Sequence, residues 1–281
     1  MRACHEPGRK SAVVCRKSFA SEISLDDVAR AAGVSRFHLV RAFQAATGRS
    51  VMRHVRGRRL TEAARALAAG APDILTVALD AGYGSHEAFT RAFRDQFGLP
   101  PEAVRARRHL DTLELVEPIK MDETLLTTLE EPRIEQGKVM LIAGLSERYT
   151  VESSKGIPAL WQRFAPHIGT IPGQRGPIAY GVIHNFDDAG NFDSLAGVEV
   201  SDFALLPAEF SRVSIPEQRY AVFTHRDHIS MLRRTMHTIW SKWLPESGIH
   251  SANGPMFERY DQRFNPASGM GGLEIWIPIK A

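Results

Sequence analysis

The sequence predicts an α+β protein in which an all-α N-terminal domain precedes a duplicated β-α-β-β domain. A helix–turn–helix pattern occurs twice before residue 110, and paired motifs after residue 170 recur 75 to 78 residues apart. Repeats of this kind indicate duplicated supersecondary units. The two halves also differ in charge: residues 1–116 carry 19 basic and 12 acidic side chains, and residues 117–281 carry 16 and 20. A basic half joined to an acidic half indicates that only the first half meets nucleic acid.

The clearest helix–turn–helix pattern lies in residues 74–108. Its first helix is predicted to end at Gly82, because glycine takes the positive φ of a tight turn. Ser85 suits the N-cap of the second helix, Gly98 ends it, and Pro101 suits the first turn of a third. The residues expected to face the core at helical spacing are Ile74, Val77, Ala78 and Ala81, then Ala88, Phe89, Ala92, Phe93 and Phe97.

An earlier copy of the pattern precedes it. Ser24 and Asp27 predict a capping box at the start of a helix over Leu25–Ala32. After a turn at Gly33, a second helix is predicted over Arg36–Thr47. The copies align residue by residue, with one extra residue in the second turn, as Val28, Ala29, Gly33, Ser35, Leu39, Arg41, Phe43 and Gly48 against Val77, Ala78, Gly82, Ser85, Phe89, Arg91, Phe93 and Gly98.

Together the copies resemble the double helix-turn-helix domain of AraC/XylS-type transcription regulators. The second copy has the form A-x-x-x-G-Y-x-S-x-x-x-F-x-R-x-F-R-x-x-F-G-x-x-P. The resemblance implies that both recognition helices enter the major groove of double-stranded DNA, about one helical turn (~34 Å) apart. One chain is then expected to bind an asymmetric site.

The outer faces of the two recognition helices supply the predicted DNA contacts, which are Arg36, Phe37, Val40, Arg41, His86, Glu87, Thr90, Arg91 and Arg94. Arg91 suits two parallel hydrogen bonds to guanine, and Glu87 can accept one from a cytosine amine. Arg94 is predicted to bind phosphate. A long helix over about 51–69 joins the units, and its arginines are predicted either to be solvated or, for some of them, to contact phosphates.

The C-terminal half reads as strands alternating with two helices. Strands are predicted over Val139–Tyr149, Pro177–Ile183, Gly197–Val200, Arg219–His225, Met256–Phe264 and Gly272–Ile279, and helices over Ile157–Ile168 and Ile229–Trp243. Gly176-Pro177 recurs as Gly254-Pro255, and Gly-Val-Glu-Val at 197–200 recurs as Gly-Leu-Glu-Ile at 272–275. Two such units side by side leave a cleft along the axis that relates them.

Four motifs occur in order in this half: G-P-I-A-Y at 176–180, R-Y-A-V-F-x-H at 219–225, G-P-x-F-E-R-Y at 254–260 and L-E-I-W-I-P at 273–278. In this order and spacing they resemble the GyrI-like domain, a duplicated SHS2 fold that binds small molecules and is often attached to AraC-type regulators. The resemblance covers about residues 116–281. It implies a domain that binds a small-molecule effector.

Strand alternation places Glu258 and Tyr260 on one face, and the internal alignment makes Tyr180 equivalent to Glu258. A carboxylate among aromatic rings suits a bulky cationic or polar aromatic ligand, because the rings attract cations and the carboxylate supplies the counter-charge. With the resemblance, this predicts effector contacts by Trp161, Tyr180, Glu258, Tyr260 and Trp276. The alternative is that Glu258 is solvated or paired with arginine and that the tryptophans belong to the core.

Three classes of function follow from these readings. The leading interpretation is a one-component transcription regulator that binds double-stranded DNA and a small-molecule effector, with RNA polymerase as a further partner. Some GyrI-like domains are hydrolases, in which case Glu258 is a base and Tyr180 or Tyr260 donates a hydrogen bond. A third alternative is a protein-docking module. The attached DNA-binding half favours regulation, so no catalytic residues are assigned.

No cofactor or metal is expected. His225 and His228 have near-ligand spacing, but no cysteine or carboxylate cluster completes a zinc site. The sequence also lacks G-x-x-x-x-G-K, H-E-x-x-H and G-x-S-x-G.

The predicted organisation has a poorly defined segment at 1–20, a DNA-binding domain at 21–112 and an effector-binding domain at 113–281. The first segment is read either as a short helix around Lys10–Phe19 or as a tail without fixed structure. The two cysteines, Cys4 and Cys15, are expected to be reduced rather than paired. With no apolar run near the ~20 residues of a membrane span and no secretory signal, we expect a cytoplasmic protein without membrane contact.

Overall fold

The computed structural model describes residues 23–119, 123–150, 153–187 and 189–280. The alternatives for residues 1–20 and the side chain of Phe37 lie outside the described part. The chain forms two compact units, one of Met1–Leu39 with Arg49–Met121 and the other of Val40–Gly48 with Asp122–Ala281. The predicted domain boundary after residue 112 stays a prediction.

The described residues before position 119 form an all-α arrangement, as predicted. The helices are α1 Leu25–Ala32, α2 Arg36–Thr47, α3 Val51–Ala68, α4 Ile74–Asp80, α5 His86–Phe97 and α6 Pro101–Arg107. The two predicted helix pairs therefore correspond to α1–α2 and α4–α5, and the long connecting helix is α3. None of the described helices is long and apolar enough to cross a membrane.

Local hydrogen bonds fix these helix ends at the cap residues that the sequence predicts. The Asp27 N–H donates to Ser24 Oγ (3.1 Å) and the Ser24 N–H donates to the Asp27 carboxylate (3.0 Å), which confirms the capping box. Gly82 follows α4 with φ +80°. The hydroxyl of Ser85 caps α5 by accepting from the Ala88 N–H at 3.2 Å.

The core of the second helix pair is a row of aromatic rings. Ring centroids lie 5.5 Å apart between Tyr83 and Phe89, 5.4 Å between Phe89 and Phe93, and 4.7 Å between Phe93 and Phe97. Phe89 and Phe93 are fully buried. Ala88 was predicted to face the core but is exposed, because it sits on the opposite side of α5 from these rings.

The segment that follows α6 is fixed against α3. Thr61 Oγ1 accepts a hydrogen bond from the Val116 N–H (3.0 Å), and the Arg58 guanidinium donates to the Val116 carbonyl (2.6 Å). A β-carbon at Gly57 would lie 2.7 Å from a methyl group of Val116, so this close approach requires glycine. Val116 thus packs as part of the helical unit.

The second unit contains one eight-stranded antiparallel sheet with the order β1-β6-β8-β7-β3-β4-β2-β5. The strands are β1 Arg133–Gly137, β2 Met140–Tyr149, β3 Gln174–His184, β4 Phe192–Val200, β5 Ser211–Ile215, β6 Gln218–His225, β7 Met256–Tyr260 and β8 Leu273–Ile279. Strands β3 and β7, which contain or follow the two Gly-Pro pairs, are neighbours at the centre. The duplication of the β-α-β-β unit itself stays a prediction.

The two helices predicted for this unit are present, with ends that differ from the prediction. Helix α7, Ile157–Phe164, is shorter than the predicted 157–168 because a separate short turn follows it. Leu160 and Phe164 pack with Ala196 and Val198 of β4, so α7 covers one face of the sheet. The second predicted helix is divided into α8, Leu232–Thr238, a wider π-turn at Ile239–Trp243 and α9, Leu244–Ser247.

The edge strands β1 and β5 were not predicted. β1 has a single aliphatic side chain, Ile134, which is 44% exposed, so no alternation marks the strand. In β5 the buried Val213 and Ile215 do alternate with polar residues, but the segment is only five residues long. Both strands are therefore defined by pairing, β1 with β6 and β5 with β2.

Phe93→Ala tests the aromatic row of the helical unit. Removing this buried ring leaves a cavity, so we expect the free energy of unfolding of that unit to fall by about 3–5 kcal/mol. Chemical denaturation of the full chain followed by circular dichroism measures the change. Leu79→Ala is the control, because Leu79 is 52% exposed and its loss should cost no more than about 0.5 kcal/mol. Equal effects of the two substitutions would contradict the described core.

Candidate functional site

The recognition helix of the second pair, α5, presents a polar outer face. Glu87, Arg91 and Arg94 are exposed, while His86 and Thr90 are half-buried. His86 Nε2 lies 3.4 Å from a carboxylate oxygen of Glu102 on α6. These side chains can reach a DNA groove, and their base and phosphate contacts stay predictions.

The predicted contacts on α2 are placed differently. Arg36 is exposed and lies 3.5 Å from the Asp26 carboxylate. Val40 and Arg41 are buried, with exposures of 5% and 4%. Residues 40–48 group with the second compact unit, in which the Arg41 guanidinium lies 4.2 Å from the ring centroid of Phe186. In this structure only Arg36 of these three is placed as an exposed recognition residue.

The C-terminal site is built around the centre of the sheet. In the β3–β7 register Gly181 pairs with Glu258, and Ala179 pairs with Tyr260. The Tyr260 hydroxyl donates a 2.6 Å hydrogen bond to Glu258 Oε2. Trp161, on α7, lies over the same face, with its ring centroid 4.9 Å from that of Tyr260 in an edge-to-face arrangement. A carboxylate, a hydroxyl and two aromatic rings therefore converge at one place.

The carboxylate of Glu258 lies in an apolar setting. Its cross-strand neighbours on this face are Gly181 and Ile275, so neither offers a charge. Burial raises the pKa of Glu258, and the Tyr260 hydrogen bond only partly opposes that rise. Burial and the nearby carboxylate likewise raise the pKa of the Tyr260 hydroxyl well above its usual range. Among the described residues no cation pairs with Glu258.

A second Glu-Arg-Tyr sequence on β2 shows the contrast. Tyr149 donates to Glu147 Oε2 at 2.5 Å, as Tyr260 does to Glu258. Here, however, the Arg163 guanidinium of α7 pairs with the carboxylate. The Tyr149 hydroxyl and then Arg163 lower the pKa of Glu147. The same tripeptide thus gives one carboxylate with a counter-ion in the protein and one without.

Two of the predicted effector contacts lie on the other face of the sheet. Tyr180 pairs with Arg259, and Trp276 pairs with Phe257. Their side chains therefore point away from Glu258, since neighbouring residues of a strand face opposite sides. Tyr180 is buried, and the Trp276 ring stacks on Phe257 at 5.2 Å. The structure brings together Trp161, Glu258 and Tyr260, and it separates Tyr180 and Trp276 from them.

Gly181 is not among the predicted site residues, although it lies directly beside Glu258 and Trp161. A β-carbon at Gly181 would lie 3.0 Å from Glu258 Oε2 and 3.3 Å from the Trp161 ring. A glycine inside a predicted strand often marks a close approach, so the sequence did contain a signal. Which side chain approaches this glycine depends on the register of β3 with β7, which pairs Gly181 with Glu258.

No group of three or more potential metal ligands occurs among the residues that the structure describes. His225 is buried, and its ring nitrogens lie within hydrogen-bond distance of Thr235 Oγ1 (2.9 Å) and the His228 carbonyl (3.3 Å). This histidine is held by ordinary core hydrogen bonds.

Comparison with known proteins matches both halves of the chain. Residues 130–280 match the GyrI-like small molecule binding domain, and residues 28–107 match a helix-turn-helix domain. The transcriptional regulator BrlR of Pseudomonas aeruginosa is 30% identical over 211 residues, which are 69% of this chain and 77% of that protein. The transcriptional regulator Rob of Salmonella typhimurium is 26% identical over 277 residues, with 92% of each chain covered.

Solved structures are also similar to part of this chain. One of them, the structure of SAV2435 bound to tetraphenylphosphonium, is 18% identical and has a TM-score of 0.44, with 54% of this chain and 95% of that chain covered.

A helix-turn-helix domain joined to a small-molecule-binding domain defines a ligand-binding transcription regulator. The chain belongs to the regulators that combine an AraC-type helix-turn-helix domain with a GyrI-like small-molecule-binding domain.

Glu258→Gln and Glu147→Gln are expected to change stability in opposite directions. The folded state holds the Glu258 proton more tightly than the unfolded chain, so ionisation destabilises the fold as the pH rises through the raised pKa. Glutamine removes that cost, and the variant should melt above wild type at pH 7 but not below pH 4.5, where a free Glu is protonated. Glu147→Gln should lower the Tm at pH 7, because it removes a carboxylate whose pKa the fold lowers.

Differential scanning calorimetry across this pH range measures both variants. Melting of Glu258→Gln below wild type at neutral pH would contradict the described environment of Glu258.

Proposed function

We propose that the effector of this regulator is an aromatic cation bound at Glu258, Tyr260 and Trp161. The observation that carries the proposal is the carboxylate of the half-buried residue Glu258. This carboxylate is itself desolvated, lies beside aromatic rings and has no protein cation next to it among the described residues. A buried charge is costly unless it is paired, so the site gains most from a ligand that brings the opposite charge.

The aromatic character of the effector follows from the rest of the cleft. Trp161 and Tyr260 meet edge to face at 4.9 Å and offer ring surface beside the carboxylate. A cation held against such rings gains about 0.5–2 kcal/mol beyond the burial of apolar surface. The cross-strand neighbours of Glu258, Gly181 and Ile275, have no polar side chain. A strongly hydrated ion would therefore lose more water contacts here than these neighbours can replace.

On DNA, we assign base recognition to α5. Arg91 and Glu87 are exposed there, and Arg94 lies one turn further along the helix. An arginine can bind guanine through two parallel hydrogen bonds, whereas a more distal arginine reaches phosphate more readily. Effector occupancy is proposed to alter either DNA affinity or the recruitment of RNA polymerase.

A hydrolase is the second candidate. The Tyr260 hydroxyl lies 2.6 Å from Glu258 Oε2, and the pKa values of both groups are raised. A base and a hydrogen-bond donor in one cleft are the groups that acid–base hydrolysis needs. The relatives named above are transcriptional regulators, which favours binding without turnover.

Ethidium, a flat aromatic cation, tests the proposed effector class. We expect the full chain to bind ethidium more tightly than phenanthridine, the uncharged parent of its ring system, by about tenfold or more. Glu258→Gln should reduce this preference because it removes the counter-charge. Glu147→Gln is the matched control, since Glu147 lies on the same face but is paired with Arg163, and it should keep the preference. Fluorescence titration measures all six affinities, of two ligands for three proteins.

A preference for ethidium that is as large in Glu258→Gln as in wild type would rule out this carboxylate as the counter-charge. Equal binding of the two ligands by wild type would reject the cationic effector.

Selection from random duplex DNA tests the assignment on α5. Arg91→Ala should relax the selected sequence at one base pair, at a cost of about 1–3 kcal/mol for the preferred base. Arg94→Ala is the paired control. It should weaken binding to all sequences alike and reduce the slope of log affinity against log salt concentration by about one. A selected sequence that Arg91→Ala leaves intact would overturn the base-reading role.

A further inference from the structure

Gly181 lies beneath the carboxylate and the indole ring of the cleft. A β-carbon there would lie 3.0 Å from Glu258 Oε2, 3.3 Å from Trp161 Cζ2 and 3.7 Å from the Glu258 β-carbon. Two side chains from different elements, β7 and α7, therefore use the space that a side chain at position 181 would occupy. Gly181 is the one residue of β3 that pairs directly with Glu258.

The backbone at this position does not itself require glycine. Gly181 is absent from the described glycines with positive φ, and it lies in regular strand pairing between Ala196 of β4 and Glu258 of β7. A glycine in a strand interior costs stability, because it is flexible when unfolded and packs nothing when folded. Space beside Glu258 and Trp161, rather than backbone conformation, is therefore what glycine provides here.

We propose that Gly181 is a specificity-determining residue. This proposal rests on the effector site proposed above. Without a side chain at 181, the Glu258 carboxylate lies back against β3 and under the edge of Trp161. The recessed carboxylate is reached by a cation whose charge is spread over a flat aromatic surface. It is closed to a compact cation that keeps its water shell.

The oxygen next to Gly181 is also the one that Tyr260 holds. Glu258 Oε2 accepts the 2.6 Å hydrogen bond from the Tyr260 hydroxyl, and it is the atom closest to a β-carbon at 181. A methyl group at this position forces that oxygen to shift by a few tenths of an ångström. The shift moves the carboxylate outward and disturbs its hydrogen bond, so the counter-charge becomes better hydrated and less selective.

Gly181→Ala in the full chain tests this role. We expect ethidium affinity to fall about fivefold, as for one weakened hydrogen bond to a charged group. Phenanthridine, which is neutral and does not use the carboxylate, should bind within about twofold of wild type. Its retention also shows that the variant is folded.

Gly254→Ala is the matched control. The three heavy atoms nearest to a β-carbon at Gly254 would all belong to the side-chain amide of Gln218, the closest at 2.8 Å. The substitution is the same and lies in the same unit, and the group it disturbs is again the flexible end of a side chain. Both ligands should bind this variant with wild-type affinity.

The outcomes separate this inference from the proposed function. Wild-type ethidium affinity in Gly181→Ala, or an equal loss of ethidium and phenanthridine, would overturn the role of Gly181 while leaving the effector site in place. If wild type itself does not prefer ethidium to phenanthridine, both the role of Gly181 and the proposed effector site are overturned. A measurement without any variant is competition against bound ethidium by methylammonium, a compact and strongly hydrated cation. We expect methylammonium not to displace ethidium, and effective displacement would overturn the recessed carboxylate.

Discussion

The pairing of β3 with β7 is the constraint on which the candidate site depends. Its register sets Gly181 opposite Glu258 and Ala179 opposite Tyr260, which gives the carboxylate a neighbour small enough to lie against. It also places Phe257, which is 1% exposed, on the opposite face. A register shift of one residue would exchange the faces on which Glu258 and Phe257 lie. The burial of Phe257 therefore fixes the register and, with it, the position of Glu258.

The two Glu-Arg-Tyr sequences show how similar local chemistry is directed to different ends. In both, the tyrosine hydroxyl bonds to the glutamate two residues earlier. Helix α7 decides the outcome, because it sets Arg163 against Glu147 and Trp161 beside Tyr260. One carboxylate is thereby neutralised at the surface, with a lowered pKa, and the other is left in an apolar setting with a raised pKa. A charge kept without its partner is a stability cost that a ligand can relieve.

The helices of the N-terminal half and their caps were predictable, although Val40, Arg41 and Ala88 are placed differently from the prediction. The effector site was predictable only in part. Caps and positive-φ glycines such as Ser24, Ser85 and Gly82 act locally, so the sequence contains their signal. Glu258 and Tyr260 are two residues apart on one strand, and alternation therefore identified them together. Tyr180 was assigned to the same site through repeat equivalence, but which face it occupies depends on strand register, which is a long-range property. The close approach of Trp161 to Gly181 is likewise a long-range property, because it brings together a helix and a strand.

The pKa of Glu258, measured by carbon-13 NMR of labelled carboxyl groups with and without ethidium, tests most directly whether this carboxylate is a counter-charge. We expect a pKa above the ordinary Glu value in the unliganded protein, because the carboxylate is desolvated without a cation. We expect this pKa to fall when ethidium binds, because a cation then stabilises the ionised form. An ordinary pKa that ethidium leaves unchanged would contradict the claim that Glu258 is a counter-charge held for a cationic ligand.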